Sequence, residues 1–366
     1  MSITEITVPL YEVAWLPWAV QYFFFIGLST TALLLASVAH LVGHQRWQRL
    51  QPAALLVAVS AGLVAPVALL ADLHQPGRFW HFYAHFTPWS WMSIGSVLLP
   101  AYFATLLTYA LIWQRERLRS LGGPRWLAWL ARGAWSGAKA LPWLAGLAAA
   151  LALGVLVYTG SEIMVVRARP LWHTYWLLPN LALTALLAAV AATIFAQHWV
   201  TGTSTDDARF SLRLLSLALL ATALGAVGWG LSGWMLQSGS FTEAVRLFRH
   251  FGYWRWVFIG SALLGVLGLC ATVLVSRRPA LLSRSWMLAP LALASAWAFR
   301  WVVLMRVQTV PKYGAGLYPY QLPLGSDGLM GVIATFGLWV AVFIMLSSVL
   351  NASKTGNLTI PEIAHA

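Results

Sequence analysis

The run AALLVAVSAGLVAPVALLAD at residues 53–72 decides the fold class, because it holds no charged residue before Asp72 at its end. A helix of about 20 apolar residues is long enough to cross the ~30 Å hydrocarbon core of a bilayer. Nine stretches of this kind occur, at about 18–42, 53–72, 91–113, 141–160, 176–199, 211–237, 254–275, 286–306 and 328–350. The sequence therefore predicts an all-α integral membrane protein, with residues 1–366 forming a single polytopic domain.

Composition and charge support a membrane protein and argue against a nucleic-acid partner. Hydrophobic residues make up 60% of the chain and charged residues 9%, whereas soluble domains carry roughly 25% charged residues. The 22 tryptophans suit the membrane–water interface, where an apolar ring with a polar N–H is favoured. The net charge of +13 is spread over short loops, and membrane topology together with anionic lipid headgroups accounts for it.

The basic residues of the loops favour one orientation in the membrane. With the N-terminus outside, the inside loops hold fourteen Lys and Arg residues and the outside loops hold eight. Six of the inside set lie in the loop 114–140. Because Lys and Arg concentrate on the cytoplasmic side of membrane proteins, the sequence predicts an outside N-terminus and an inside C-terminus.

Four polar residues are predicted to share the outer leaflet in this orientation. Gln21 and Tyr22 lie in the first turns of the first span, while Asp72 and Tyr158 lie at the outer ends of the second and fourth. A carboxylate at a helix C-terminus faces the negative end of the helix dipole, so Asp72 needs a compensating partner. His74 and Arg78 are the candidates nearest in sequence.

Two interpretations of these residues stay open on sequence alone. Asp72 is either a structural hydrogen-bond acceptor for the loop 73–90 or a proton acceptor at a quinone headgroup. Tyr22 and Tyr158 are either site residues or members of an aromatic belt. Arg300, inside the eighth span, either extends its guanidinium outward to water or pairs with a polar group within the bundle.

The remaining acidic residues and the cysteine count limit the chemistry. Nine of the ten acidic residues fall in predicted loops or tails, with Asp72 as the exception. No relay of buried carboxylates is predicted to cross the bilayer. This argues against a proton pump built on Asp and Glu residues and favours a reaction that moves no net charge across the membrane. The one cysteine, Cys270, cannot by itself ligate an iron–sulfur cluster, and its expected role is packing.

Two other function classes are open. A haem b-containing cytochrome needs stacked histidine pairs, but only His40 and His198 lie in spans, both at inner ends. A secondary transporter needs discontinuous helices and buried charges near the midplane. Pro66 and Pro290 could kink two spans, but only Arg300 is charged at depth.

Several motifs resemble those of the NrfD/PsrC family, the membrane subunits of polysulfide-reductase-type complexes. The stretch Leu-Ala-Asp-Leu-His-Gln-Pro-Gly-Arg-Phe-Trp at 70–80 is similar to that family's signature after the second helix. Tyr-Thr-Gly at 158–160 with Ala-Arg-Pro-Leu-Trp at 168–172 resembles its fourth helix and following loop. The first helix around 18–29 is also similar, and the segments 305–308 and 324–328 resemble a tetrathionate-reductase-like branch.

The resemblance implies a quinone site near the outer face, within a four-helix bundle packed on a second bundle, and no haem or iron–sulfur cluster in this chain. It assigns quinone contact to Tyr158 and proton handling to Asp72. Gln21 and Tyr22 stand where the polysulfide-reductase version has Asn and His, and His74, Arg78 and Arg300 complete the candidate binding residues. Menaquinone is favoured over ubiquinone.

The partners implied by the resemblance are a four-cluster iron–sulfur subunit and a molybdopterin catalytic subunit on the outer face of a bacterial inner membrane. This chain has no cofactor-binding residues of its own to take up electrons, so they are expected to pass directly to the docked subunit. The loop 73–90, with its aromatic and histidine side chains, is either the platform for that subunit or an interfacial anchor. The terminal acceptor is expected to be a sulfur oxyanion, polysulfide or similar compound.

Overall fold

A computed structural model describes residues 13–120, 135–200, 202, 204–310 and 320–355, and the regular structure within these ranges is helical. In chain order the helices are α1 (Pro17–Val42), α2 (Gln45–Asp72), α3 (His81–Ala84), α4 (Trp91–Ser120), α5 (Leu141–Met164), α6 (Leu177–Val200), α7 (Thr205–Met235), α8 (Gly239–His250), α9 (Gly252–Arg277), α10 (Ala289–Trp301) and α11 (Leu329–Thr355). A 3-10 segment, Pro279–Leu288, precedes α10, and a π-helical turn, Val302–Arg306, follows it.

Nine helical stretches in the described ranges are long and apolar enough to cross a membrane, which confirms the predicted number of spans and the all-α membrane fold. Several helix ends differ from the prediction. The second span begins at Gln45 instead of residue 53, and the fourth ends at Met164 instead of residue 160. Hydropathy locates the part of a helix that prefers hydrocarbon, but backbone hydrogen bonding continues into the polar turns beyond it.

The eighth span is a composite of three helical types. It runs from the 3-10 segment through α10 into the π-helical turn. Pro290 lies in the first turn of α10 and therefore starts a helix, where its missing N–H costs nothing. The predicted kink at Pro290 is thus a helix start, whereas Pro66 does lie inside α2.

The connections alternate between two faces of the molecule. We call the side where α1 begins and α2 and α5 end the first face, and the side where α2 and α7 begin the second face. The loop 73–90 on the first face holds a 3-10 turn and the short helix α3. Residues 121–134 of the basic loop predicted to lie inside, and both chain termini, fall outside the described residues.

The helices pack as two groups around α1. In the first group α1 packs on α2 and α5, and α4 packs on α5; in the second, α6, α7, α9 and α10 contact one another. Helix α1 also contacts α6, α10 and α11, so most of its side chains are buried, whereas α9 is mostly exposed. This agrees with the expected pair of bundles and places the polar residues of α1 in protein instead of lipid.

Candidate functional site

Four polar side chains from three helices lie together near the first face. Tyr22 belongs to α1, Asp72 ends α2, and Tyr158 and Glu162 lie one turn apart on α5. The Tyr158 hydroxyl lies within hydrogen-bonding range of the Tyr22 hydroxyl and of the Glu162 carboxylate. Glu162 also interacts electrostatically with Tyr22 and Asp72. Given a rise of 1.5 Å per residue, both tyrosines lie about 8–9 Å inside their helix ends. We call these four residues the tyrosine–carboxylate cluster.

Glu162 corrects a prediction made from hydropathy. The fourth apolar run ends near residue 160, so the sequence places Glu162 in a loop. In the structure α5 continues to Met164, and Glu162 lies in its last two turns with Oε2 buried. The prediction that every acid except Asp72 lies in a loop or tail is therefore wrong here. The i, i+4 spacing from Tyr158, which puts both residues on one helix face, is the signal that could have found it.

Two glycines make room for Tyr158 and its helix. A Cβ placed on Gly95 of α4 would overlap the phenol ring and hydroxyl of Tyr158. A Cβ on Gly160 would lie 2.8 Å from the Leu178 Cβ on α6, tighter than ordinary van der Waals contact. The phenol of Tyr158 is thus held against the backbone of α4, and the glycine of the Tyr-Thr-Gly motif allows α5 to approach α6 closely.

The cluster contains polar atoms that lack well-formed hydrogen bonds within the described part of the chain. The Tyr22 hydroxyl and Glu162 Oε2 are both buried, and neither forms a hydrogen bond of good geometry with a described residue. Leaving such a group unpaired costs roughly 1–3 kcal/mol, and most native buried polar groups are paired. Two buried polar groups without well-formed hydrogen bonds, next to the Tyr158 hydroxyl, make this cluster the candidate position for a polar ligand.

Asp72 is compensated by the start of another helix. Its Oδ1 accepts a hydrogen bond from the Leu16 backbone N–H at 3.0 Å, and Leu16 is the N-cap of α1, which has no capping bond from its own side chain. The carboxylate therefore lies at the positive end of the α1 dipole, which offsets its position at the C-terminus of α2. His74 also interacts electrostatically with Asp72.

Arg78, the other candidate partner of Asp72 in the loop 73–90, does not form an ion pair with it in the described structure. Arg78 is exposed in the 3-10 turn. The expectation that Arg78 compensates Asp72 is therefore corrected in favour of the Leu16 N–H, because Asp72 points toward α1. The loop around Arg78 exposes five large apolar side chains, each at least 48% accessible: Phe79, Trp80, Tyr83, Phe86 and Trp89.

Gln21 is fully buried and its amide is already bonded within the protein. Its Nε2 donates to Val332 O and Thr335 Oγ1 of α11, and its Oε1 accepts from Trp297 Nε1 of α10 at 2.6 Å. The amide thus joins α1 to two other helices. Gln21 and Tyr22, although adjacent in sequence, project to different sides of α1.

The Arg300 guanidinium is also hydrogen-bonded within the protein. Its side chain is only 1% exposed, so the guanidinium does not extend to water as one interpretation expected. It donates to Phe23 O, Leu181 O, Ala296 O and Thr184 Oγ1 at 3.0–3.2 Å. The cation therefore bonds oxygen atoms of α1, α6 and α10, and none of these four bonds goes to a carboxylate.

Other residues of the recognised motifs hold the first face together. Arg169 is buried and donates to Val307 O and Val310 O, and Trp172 Nε1 donates to Val303 O. Gln308 bonds both the N–H and the C=O of Trp15, just before α1. These motif residues fix the π-helical region to the start of α1, close to the tyrosine–carboxylate cluster.

The histidines of the spans pack against aromatic rings. The His40 ring lies 6.1 Å from that of Tyr109, and the His198 ring stacks on Trp286 at 5.2 Å. In the portion that the structure describes, no group of three or more His, Cys, Asp or Glu is placed to hold a metal ion. Cys270 is exposed on α9 and does not pack in the interior as expected.

Gly95→Ala is expected to impair the site without unfolding the protein. The added methyl group displaces the Tyr158 phenol, and a misplacement of about 1 Å at a reacting centre costs up to a hundredfold in rate. We expect kcat/KM of any reaction that uses the Tyr158 hydroxyl to fall roughly tenfold to a hundredfold. Gly146→Ala on α5, whose Cβ meets nothing within 4 Å, is the matched control. Equal rates in both variants would show that Gly95 does not position Tyr158.

Comparison with known proteins gives consistent matches. The family model described as "Polysulphide reductase, NrfD" matches residues 8–312. The C subunit of tetrathionate reductase from Salmonella typhimurium is 37% identical over 364 residues, which cover 96% of both proteins. The C polypeptide of polysulfide reductase from Wolinella succinogenes is 32% identical over 47% of this protein and 53% of its own length. The C subunit of selenate reductase from Mesobacillus selenatarsenatis is 32% identical over 22% of this protein and 19% of its own length.

Proposed function

The chain belongs to the polysulphide reductase NrfD family, and from that premise we propose that it is the quinone-reactive membrane subunit of a reductase complex. The observation that carries this proposal is the tyrosine–carboxylate cluster. It brings two phenols and two carboxylates together near the first face, where the Tyr22 hydroxyl and Glu162 Oε2 are buried without a hydrogen bond of good geometry. Menaquinol is the favoured substrate, with ubiquinol as the second choice.

The cluster has the groups that a quinone headgroup requires. The two carbonyl oxygens of the quinone form accept hydrogen bonds, and the Tyr22 and Tyr158 hydroxyls are suited to donate them. Oxidation of a bound quinol supplies two electrons and two protons. The two carboxylates of the cluster are suited to accept those protons, because a general base must lie within hydrogen-bond reach of the group that it deprotonates.

The chain's own residues suggest an order of proton transfer toward the first face. The Tyr158 hydroxyl donates a hydrogen bond to the headgroup oxygen, and Glu162 Oε2 takes the first proton. Asp72 interacts with Glu162 and with exposed His74, so a proton that leaves Glu162 has acceptors on the way to water. Release therefore occurs on the same face as quinol oxidation.

The loop 73–90 is the proposed docking platform for an electron-accepting subunit. It follows Asp72 directly and exposes aromatic side chains that would otherwise favour burial, and exposed apolar patches of this kind mark interaction sites. An iron–sulfur subunit bound here would lie next to the cluster, and a molybdopterin subunit beyond it would reduce a sulfur oxyanion, polysulfide or similar acceptor. The first relatives are themselves described as parts of reductases.

The proposed location is a bacterial inner membrane, with the first face outside. The support is the distribution of basic loop residues, fourteen on one side against eight on the other, since positive residues favour the cytoplasmic side. The cluster and the docking loop then face the periplasmic side.

The experiment that tests this function is an absorption difference spectrum of the purified complex mixed with a menaquinol analogue. A broad bleach without a sharp Soret shift is expected, because electrons pass to iron–sulfur clusters of the partner. The oxidised quinone analogue, which cannot donate electrons, is the control. A sharp Soret response would instead support a haem subunit, and the lack of any quinol-dependent change would contradict the proposal and favour a transporter.

A further inference from the structure

A groove of about 560 Å³ opens between α7 and α9 near the second face. Arg209, Arg213, Ser216 and Leu217 of α7 line it, together with Ser276 of α9. It lies at the opposite end of the membrane-spanning helices from the tyrosine–carboxylate cluster, so nothing in the proposed quinol chemistry uses it.

The groove carries positive charge that the protein itself compensates only in part. Arg209 makes one exposed ion pair, with Asp206 at 3.7 Å. Arg213 is exposed and takes part in none of the ion pairs among the described residues. Asp207, the other acid near the start of α7, pairs with Arg49 at 3.4 Å. Two arginines four residues apart on a helix repel each other, so an anion between them would relieve that repulsion.

The surroundings of the groove add further cations. Arg277 and Arg278 follow Ser276 at the end of α9, and Arg284 lies in the 3-10 segment after it; all three are exposed. Their combined field attracts negative charge to this part of the second face. A guanidinium binds phosphate oxygens through parallel N–H donors, which makes phosphate the matching anion.

The depth of the groove indicates that the phosphate belongs to a lipid. One turn further along α7 from Arg213 the surface becomes apolar: Leu217 is 61% exposed, Leu220 46% and Leu224 60%. In a membrane such leucines face acyl chains, so Arg213 lies where headgroups meet hydrocarbon. Basic pockets between membrane helices are suited to anionic headgroups. A free phosphate ion would use the arginines but not the leucines.

We propose that this groove binds an anionic phospholipid, with Arg209 and Arg213 on its phosphate oxygens and Leu217 against an acyl chain. The lipid joins the ends of α7 and α9, which otherwise meet at the membrane surface with like charges. The site lies in the inner leaflet if the orientation predicted from the loop charges is correct.

The test uses the full chain in its complex, stripped of lipid in detergent, and compares phosphatidylglycerol with phosphatidylcholine of identical acyl chains. Native mass spectrometry counts bound lipid, and thermal unfolding measures stabilisation. We expect phosphatidylglycerol to bind and raise the unfolding temperature, and the Arg209→Gln/Arg213→Gln double variant to weaken this binding at least tenfold. Arg213→Lys, which keeps the charge, should retain most of it.

Matched controls separate this site from general charge effects. Arg249→Gln on the opposite face also removes an exposed cation and should leave phosphatidylglycerol binding unchanged. Should the double variant not purify as monodisperse protein, Ser276→Trp fills the groove without removing charge, and the same loss is expected. Equal binding of both lipids, unchanged binding in the groove variants, or an equal shift with inorganic phosphate at matched concentration would each overturn the proposal.

Discussion

Replacing Tyr158 by phenylalanine is expected to reduce quinol oxidation by about a hundredfold while the protein stays folded. The hydroxyl is the donor that the proposed site directs at the headgroup oxygen, and positioned proton donors and acceptors typically contribute 10²–10⁴-fold to a rate. The phenylalanine ring keeps the contact with α4 at Gly95, so packing changes little. Steady-state oxidation of a menaquinol analogue by the purified complex measures the effect.

Tyr102→Phe is the matched control for this variant. Tyr102 is also a buried tyrosine of the first group of helices, but its hydroxyl is 2.6 Å from Ser29 Oγ, away from the cluster. Its loss should cost about 1 kcal/mol of stability and leave the rate within about twofold of the wild type, since no proposed step uses it. If both variants oxidise quinol at similar rates, Tyr158 is an interfacial aromatic residue and the proposed site is wrong.

Glu162→Gln is expected to give the second large effect, lowering kcat roughly tenfold to a hundredfold with KM changed little. Glutamine keeps the size of the side chain and can still form hydrogen bonds, but it cannot take up a proton. A change confined to kcat indicates an interaction needed after the substrate is bound. The residual rate should depend on Asp72, which interacts with Glu162 and can accept protons in its place. Rates over a range of quinol concentrations separate kcat from KM.

The control for Glu162 is Glu243→Gln on α8, at the same face. Glu243 pairs with Arg246 at 2.6 Å and lies outside the cluster. The proposal expects no change in quinol oxidation from this variant. The double variant Asp72→Asn/Glu162→Gln should be slower than either single variant, because both acceptors are then lost. A wild-type rate in Glu162→Gln would remove this residue from the proposed proton path.

The motif residues divide into two kinds of role once their contacts are known. Tyr158 and Asp72 belong to the tyrosine–carboxylate cluster, whereas Arg169, Trp172 and Gln308 bond backbone groups of other segments. Their spacing in sequence does not distinguish these roles. Residues that fix the start of α1 and the end of the eighth span also fix the position of Tyr22, so structural motif residues can affect function indirectly.

The sequence predicted the spans and most of the cluster for a clear physical reason. Transfer of apolar side chains into hydrocarbon is a local, nearly additive property, so windows of about 20 residues locate membrane helices. The alternation of those helices then brings Tyr22, Asp72 and Tyr158 to one face. Glu162 was missed because a polar residue near a helix end lowers local hydropathy without ending the hydrogen-bonded helix.

The sequence by itself determined the membrane class, the number of apolar helices and the face on which the polar residues gather. Only the tertiary structure decided which of those residues are already bonded. Gln21 and Arg300 bond partners hundreds of residues away in the chain, such as Thr335 and Phe23, at separations of 314 and 277 residues. A polar group in a bilayer must find its partner within the protein. Since that partner lies on whichever helix packs alongside, only the packing shows which polar groups remain available for a ligand.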